Sequence, residues 1–383
     1  MARRVDPAKL APIRAAAQLL HRPRTPSHPA DIAREIAGAQ AQDPRAGRLT
    51  FRARSSKPSA ADVDRCRTEE RSLLLIWAMR NTLHLLNAED AVWMLPLFKP
   101  KLEGFARRRL AHFGVDRRAQ DRALGAIRAA LESEGPLGRG EAMDRVRRLN
   151  IEITPERRGH LTGLSVATGI ACLGPDKGRT AQLVLADEWL GEPPPHDRDA
   201  ALRDLARRYL NAFGPATEAD FARWAGLPLG DVRAGLTGIA AELREVQIRD
   251  ARAWALRRSP RRAPEGIVRL LPAWDTYLLG YRDRDFVATG ERWRKITPGG
   301  GMYYPAIVRD GVAIGIWSIR GARDTPDMAA EPFGRLDREA RAAVDTELAD
   351  VRRFETEEAE KEMAGRGRGR QGVHTARATP ARR

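Results

Sequence analysis

The sequence contains little cysteine and no histidines at metal-binding spacing. Its two cysteines, Cys66 and Cys172, are far apart and form no C-x-x-C pair. This excludes a disulfide framework and the common zinc modules. The seven histidines are scattered, without an H-x-x-x-H or H-E-x-x-H pattern. The sequence therefore predicts neither a metal site nor a cofactor.

Long apolar runs are absent as well. The longest, Leu73 to Met79, is too short to cross a membrane. The first residues lead into no apolar signal segment. The glycine-rich stretch from Gly174 to Thr180 lacks the spacing of a phosphate-binding loop. We therefore expect a reduced, cytoplasmic protein that does not enter membranes.

Acidic residues are too few to balance the basic ones. Lysine and arginine total 67 against 51 aspartates and glutamates, which gives a net charge of +16. Such an excess favours a polyanionic partner, most simply nucleic acid. Arginine outnumbers lysine 60 to 7, but this preference is typical of a GC-rich genome and is not evidence for phosphate binding. We expect a nucleoid-associated protein that binds double-stranded DNA.

Helical and strand-like patterns alternate along the chain. The clearest case is a capping-box pattern, Thr217 to Asp220, before a predicted helix at Glu218–Ala225. A second helix at Gly230–Glu242 and a strand pair within Val246–Leu256 follow. Helix, turn, helix and hairpin is the winged-helix pattern. Two earlier stretches repeat it, with hairpins predicted at Leu73–Leu86 and Gly169–Leu185.

The fold class predicted from this pattern is α+β, with three tandem winged-helix domains and a small C-terminal β-domain. The domains are predicted at residues 1–110, 111–195 and 196–262, with a linker at 192–196. The β-domain, residues 263–360, has predicted strands at Ile267–Leu271, Ala306–Arg309 and Val312–Ile319 and a closing helix at Arg335–Glu358. Residues 361–383 are predicted to be a disordered basic tail.

The most informative motif is Gln40-Ala41-Gln42, followed by Asp43-Pro44 and several arginines. A residue before proline is pushed out of the helical region, so the preceding helix should end near Gln42. In an extended chain, residues i and i+2 point to the same side. Two neutral amides beside cations would suit a water molecule held next to a DNA backbone.

Two further stretches allow two interpretations each. Residues 80–84, Arg-Asn-Thr-Leu-His, could contact phosphate and base from a wing tip, or could merely close a strand. In residues 271–282, the aromatic rings of Trp274, Tyr277 and Tyr281 could stack on bases, but packing between domains is favoured.

These three stretches together resemble the AlkZ-like (YcaQ-like) winged-helix DNA glycosylases, over roughly residues 8–355. One branch of that family has a glutamine–aliphatic–glutamine signature, which Gln40 and Gln42 match. The resemblance implies tandem winged helices and a β-domain around a basic channel, and the excision of alkylated purines, including crosslinked ones. It makes Gln40 and Gln42 the candidate catalytic residues. The candidate DNA-binding residues are Arg45, Arg48, Arg80, Thr82, His84, Asp275 and Arg282.

The leading hypothesis is a monomeric, monofunctional DNA glycosylase that excises cationic N-alkylated purines with water positioned by the two glutamines. A cationic purine leaves as a neutral base, so it needs little acid catalysis. The alternative is a noncatalytic winged-helix DNA-binding protein such as a regulator, and a third hypothesis is a protein-binding scaffold. The paired amides favour the glycosylase.

Overall fold

A computed structural model describes residues 3–21, 26–178, 180–191, 197–258, 265–323 and 325–370. The predicted linker at 192–196 and the last part of the predicted tail, residues 371–383, lie outside these residues. The described structure mixes α-helices and β-strands throughout, so the prediction of an α and β fold is confirmed at that level.

The first part of the chain leads into a hairpin and a long helix. Its elements are β1 (Arg3–Arg4), α1 (Pro7–Ala17), α2 (Pro29–Glu35), β2 (Ala39–Gln40), α3 (Pro44–Arg52), α4 (Ala60–Thr68), β3 (Leu73–Trp77), β4 (Leu83–Asn87) and α5 (Ala88–His112). A single 3₁₀ turn, Met79–Asn81, joins β3 to β4. The predicted hairpin at Leu73–Leu86 is present.

The next two parts each place helices before a hairpin. The second comprises α6 (Arg117–Glu134), α7 (Arg139–Arg147), α8 (Pro155–Ala167), β5 (Ala171–Lys177), β6 (Thr180–Leu185) and α9 (Ala186–Leu190). The third comprises α10 (Arg198–Phe213), α11 (Glu218–Ala225), α12 (Leu229–Gly238), a 3₁₀ turn at Ala240–Glu242, β7 (Leu243–Ile248) and β8 (Ala251–Leu256). The capping box at Thr217 forms as predicted, with Asp220 bonded back to the Thr217 backbone.

The C-terminal part is built on an antiparallel sheet in the order β12-β11-β10-β9. Its elements are β9 (Val268–Leu271), α13 (Thr276–Leu279), α14 (Gly290–Ile296), β10 (Ala306–Arg309), β11 (Val312–Arg320), β12 (Asp327–Pro332) and α15 (Arg338–Arg370). Three of its strands match the predicted ones within a residue. Helix α15 continues ten residues into the predicted disordered tail, and its stretch up to Ala364 is rich in the strong helix formers Ala and Glu.

The hairpins of the first two parts join into one sheet, in the order β2-β4-β3-β5-β6. The junction is antiparallel and pairs Leu75 with Leu173. A third sheet contains β7 and β8, and β1 adds to β7 in parallel. The predicted boundary at residue 110 falls inside helix α5, which sequence analysis did not assign. The winged-helix domains and their limits therefore remain predictions.

The largest core cluster is continuous across the first three parts of the chain and includes Met79, Leu173 and Trp224. A second cluster packs α2, α3 and α4 against β9 and α15. This second cluster fixes the segment that carries the two glutamines. Among the described residues, no helix is both long and apolar enough to cross a membrane.

Candidate active site

The glutamine motif lies at the edge of the five-stranded sheet. Gln40 pairs with His84 across β2 and β4, and the Ala41 N–H donates to the Leu83 carbonyl at 2.8 Å. The extended stretch ends at once because Asp43 caps α3 through a 2.7 Å hydrogen bond from the Ala46 N–H. Pro44 then occupies the first helical turn, where its missing N–H costs nothing.

The residue between the glutamines is tightly enclosed. Ala41 is 3% exposed. A Cβ placed on Gly47 of α3 would lie 2.8 Å from the Ala41 Cβ, closer than real carbon contacts allow. Two small residues therefore let α3 approach the motif, and the position of the glutamines depends on this contact.

Gln40 is nearly buried, at 6% exposure, and its orientation is fixed. Its Oε1 accepts hydrogen bonds from the Arg80 Nη2 at 2.8 Å and the Thr82 hydroxyl at 3.4 Å. An arginine side chain can only donate, so the amide oxygen must face Arg80. The NH₂ group of Gln40 must then point away from Arg80.

Gln42 is exposed, and its carbonyl is also held. The Gln42 Oε1 accepts a 3.0 Å hydrogen bond from the backbone N–H of Leu83. Both amides thus reach the start of β4. No described residue accepts a hydrogen bond from the Nε2 of either glutamine. The two NH₂ groups remain available as donors, and the Gln42 oxygen keeps a second lone pair for an acceptor role.

Arg80 connects three elements. Its guanidinium donates to the Trp224 carbonyl at the end of α11 and to Gln40. Arg80 and Asn81 both have positive φ, 54° and 61°, which forms the sharp turn before β4. Burial, with a smaller contribution from nearby Arg223, lowers the pKa of Arg80 to about 10. Arg80 therefore has an internal role, which is to hold Gln40, and its contact with phosphate remains a prediction.

His84 is 2% exposed, so the prediction that it contacts DNA is wrong. Its Nδ1 lies 2.9 Å from the Thr82 carbonyl, and a carbonyl can only accept, so this nitrogen carries the proton. Burial lowers the pKa of His84 to about 3, with Arg80 adding to the effect. The ring is therefore neutral at physiological pH. Thr82 is half-buried, and its DNA contact remains a prediction.

Gln42 opens onto a cleft of about 940 Å³ that crosses the sheet. Leu75, Leu83 and Leu85 form an apolar floor, because they share one face of β3 and β4. The charged residues lining the cleft are Arg45, Arg48, Arg67, Arg139, Arg323, Asp43, Asp64 and Asp176. Five arginines against three aspartates make this surface electropositive.

Arg45 and Arg48 line the cleft as the sequence suggested, but each also has an acidic partner. Arg45 pairs with Glu355 of α15 at 3.2 Å, and Arg48 pairs with Asp64 at 3.1 Å. These pairs hold both guanidinium groups at the cleft wall. Their contact with phosphate remains a prediction.

Sequence analysis missed Arg139, which contributes a cation to the cleft from the first turn of α7. No described residue forms an ion pair or hydrogen bond with it, and its Nε is buried without an acceptor. Burial, reinforced by Arg158, lowers its pKa. No sequence pattern around Arg139 distinguishes it from the other arginines of the chain. It joins the glutamines only because β5 and β6 extend their sheet.

Asp275 is fully buried, so its predicted DNA contact is also wrong. It forms two 2.8 Å hydrogen bonds with Arg54, which is equally buried, and it caps α13. Arg282 is exposed but lines a different cavity, beside Arg249 and Asp220. The structure does not bring it to the glutamine cleft.

The aromatic residues of the 271–282 stretch divide into two groups. Tyr277 and Tyr281 are fully buried, as the packing interpretation requires. Trp274 is half-buried and lines a second cavity of about 780 Å³, together with Tyr304, Asp43 and Arg45. Asp43 and Arg45 line both cavities, so the second one adjoins the glutamine cleft.

Comparison with known proteins gives a consistent result. The sequence model described as DNA glycosylase AlkZ-like matches residues 33–354, most of the chain. The chain belongs to this family. A curated Streptomyces sahachiroi protein named interstrand DNA cross-link repair glycosylase is 28% identical over 349 residues, covering 86% of this chain and 92% of the relative. The solved structure of S. sahachiroi DNA glycosylase AlkZ aligns with a TM-score of 0.76 and 26% identity, covering 92% of this chain and 97% of that one.

Membership in the AlkZ-like family agrees with the resemblance drawn from the three sequence stretches. All three stretches lie within the matched residues, and so do Arg139 and the apolar floor of the cleft.

Proposed function

We propose that this AlkZ-like protein hydrolyses the N-glycosidic bond of cationic N-alkylated purines in double-stranded DNA, acting as a monomer and forming no covalent intermediate. The observation that carries the proposal is the placement of Gln42 in an arginine-lined cleft. Gln40 does not line this cleft, but it lies two residues away and is held by a hydrogen bond from Arg80. Bulky and crosslinked purines fall within the proposed substrate class, since the cleft is open and the S. sahachiroi relative is named for crosslink repair.

The two amides can position a water molecule without acting as bases. The free lone pair of the Gln42 oxygen can accept a hydrogen bond from water, and an amide NH₂ can donate one to the water or to the sugar–phosphate. Such positioning contributes up to about 7 kcal/mol. An alkylated purine already carries a positive charge and leaves as a neutral base, so the ease of its departure provides the remaining lowering of the activation barrier. Unmodified purines and uracil should therefore be poor substrates.

Asp43 is the nearest carboxylate in the sequence, and it also lines the cleft. Its Oδ1 is engaged in capping α3. Asp43 acts in the proposal as a structural cap and not as the base. Asn would cap α3 almost as well, so Asp43→Asn separates the two roles.

The cleft arginines supply DNA affinity through phosphate contacts. Arg139 is the strongest candidate, because no described residue forms an ion pair or a hydrogen bond with it. Arg45 and Arg48 would have to share their charge with Glu355 and Asp64. Binding should weaken steeply with salt, by a slope of about 0.9 for each phosphate contact.

The test uses a duplex with a single N7-methylguanine. After single-turnover incubation, alkali converts each abasic site into a strand break that a gel can count. We expect strand breaks with the wild type. The rate of strand breakage should fall greatly in Gln40→Ala and in Gln42→Ala, and it should change little in Asp43→Asn. Gln247→Ala, on β7 in the third part of the chain, is the matched control.

Tight binding without strand breaks on any cationic purine lesion would overturn the proposal in favour of a noncatalytic DNA-binding protein. If Asp43→Asn lowers the rate of strand breakage as much as Gln42→Ala does, the protein is still a glycosylase, but Asp43 and not the amides would then activate the water.

A further inference from the structure

Three potential metal ligands meet on the first part of the chain, away from the cleft lining. They are His28 at the N-terminus of α2, Cys66 in α4 and Glu70 just after α4. Their ligand atoms all lie within 4.8 Å of one another. Sequence analysis does not predict this group, because His28 is 38 residues from Cys66 and belongs to no histidine pair.

Two of the three distances between ligand atoms lie near those around a tetrahedral zinc ion, and the third is within 4.8 Å. Zinc binds sulfur at about 2.3 Å and imidazole nitrogen or carboxylate oxygen at about 2.0–2.2 Å, so tetrahedral ligands lie about 3.3–3.6 Å apart. The Cys66 Sγ lies 3.6 Å from the His28 Nε2. The His28 Nε2 lies 2.9 Å from the Glu70 Oε2, so this pair would have to open by only about 0.4 Å.

The ligand types and the local fold also suit zinc. A thiolate, a neutral imidazole and a carboxylate together balance a charge of +2, and all three are zinc ligands in proteins. Cys66 lies in the last turns of α4, and the Glu70 N–H bonds to the Arg65 carbonyl five residues back, so the chain closes a turn at the end of the helix. This turn brings the Glu70 carboxylate within 4.8 Å of the Cys66 thiol.

Neighbouring groups hold the carboxylate in place. Arg65 Nε donates to the Glu70 Oε1 at 3.2 Å, and the Ser72 hydroxyl donates to the Oε2 at 3.2 Å. Such outer contacts commonly orient metal ligands. The Cys66 side chain is buried, whereas His28 and Glu70 are partly exposed, at 44% and 34%. One side of the group thus faces solvent, where an ion could enter and a water molecule could complete the coordination.

We propose that His28, Cys66 and Glu70 form a three-ligand zinc site that ties the start of α2 to the end of α4. The site is structural, because none of its ligands lines the glutamine cleft. It is linked to the cleft through α4, whose Asp64 and Arg67 flank Cys66 and line the cleft wall. Zinc binding should therefore stabilise the folded chain and the wall together.

The test is metal binding by the untagged, full-length protein after treatment with a chelator. We expect one equivalent of Zn²⁺ per chain, and with Co²⁺ the near-ultraviolet charge-transfer absorption of a cobalt–thiolate bond. Zinc should also raise the melting temperature. Cys66→Ser should abolish the cobalt–thiolate band, and Cys172→Ser, which changes the other buried cysteine, should retain it.

His28→Ala and Glu70→Gln provide a second pair of variants, because their side chains are partly exposed and their loss should leave the chain folded. Each should weaken zinc binding at least tenfold. The proposal is overturned if the wild type binds no stoichiometric zinc, or if the cobalt–thiolate band and the zinc affinity are unchanged in these variants. Since glycosylase activity is not a readout, the outcome is independent of the proposed reaction.

Discussion

Arg80 offers the sharpest test of how the site is organised, because two roles for it predict different measurements. As a phosphate ligand it would contribute to DNA affinity. As the donor to Gln40, at 2.8 Å, it would contribute to the reaction of DNA that is already bound. The substitution Arg80→Met keeps much of the side-chain length and removes both the charge and the hydrogen bonds.

The expected loss follows from the hydrogen bond. A hydrogen bond to a charged group contributes about 1.5–3 kcal/mol. If Gln40 is positioned by Arg80, this free energy is lost from the transition state, which corresponds to a fall of about 10- to 150-fold in the single-turnover rate. The dissociation constant for DNA, and its dependence on salt, should be almost unchanged.

The assay is single-turnover excision at saturating enzyme, together with DNA binding measured at several salt concentrations. Arg139→Met is the matched control, because that arginine faces the cleft without an ionic partner among the described residues. It should lower the salt slope by about 0.9 and leave the saturated rate nearly unchanged. The reasoning is refuted if Arg80→Met lowers the salt slope in this way and leaves the saturated rate intact. A melting curve for each variant confirms that it is folded.

Three further predictions concern stability. The pKa of His84 falls from 6.5 to about 3 on folding, so protons bind the unfolded chain preferentially below about pH 6.5. Between pH 7.5 and 5 this group alone should lower the free energy of unfolding by about 2 kcal/mol, and denaturant titrations of His84→Gln should show a shallower pH dependence over that range. Gly47→Ala should be about 1–3 kcal/mol less favourable than Gly125→Ala, since a Cβ at position 47 meets the Ala41 side chain whereas one at position 125 meets nothing. Asp275→Asn should cost about 3–5 kcal/mol in urea unfolding, because it leaves a buried guanidinium without its carboxylate.

Each of these has an outcome that would contradict it. An unchanged pH dependence in His84→Gln would mean that folding does not lower the pKa of the ring. Equal stability of the two glycine variants would mean that α3 can move away from the motif freely. A small change in the free energy of unfolding with Asp275→Asn would mean that water reaches the Arg54 guanidinium.

Local signals predicted much of the fold. The helix at Glu218–Ala225 begins and ends as expected because its capping box and its following glycine act within a few residues. Three strands of the C-terminal sheet are predicted for the same reason, from short β-branched runs and the Asp310-Gly311 turn, whereas β12 is not predicted. Helix α5 was missed, since Pro96 and Pro100 lie inside it and prolines normally interrupt helices.

The site was only partly predictable because burial depends on distant partners. The paired amides and Pro44 predict that the chain leaves the helix near Gln42 and exposes side chains able to bind water. In the structure, Gln42 lines a cleft. Nothing near Asp275 in the sequence shows that Arg54, 221 residues earlier, neutralises it. The same holds for Arg139, which reaches the cleft through the β3–β5 junction.

The apolar floor of the cleft is the face of a sheet, spread across neighbouring strands and open on the solvent side. A flat floor of this kind does not select lesions by size, as an enclosing pocket would. For the proposed reaction, small methyl groups and large polycyclic adducts would then be removed at rates governed by how readily each base departs. Plotted against leaving-group acidity, lesions of very different bulk should fall on a single line.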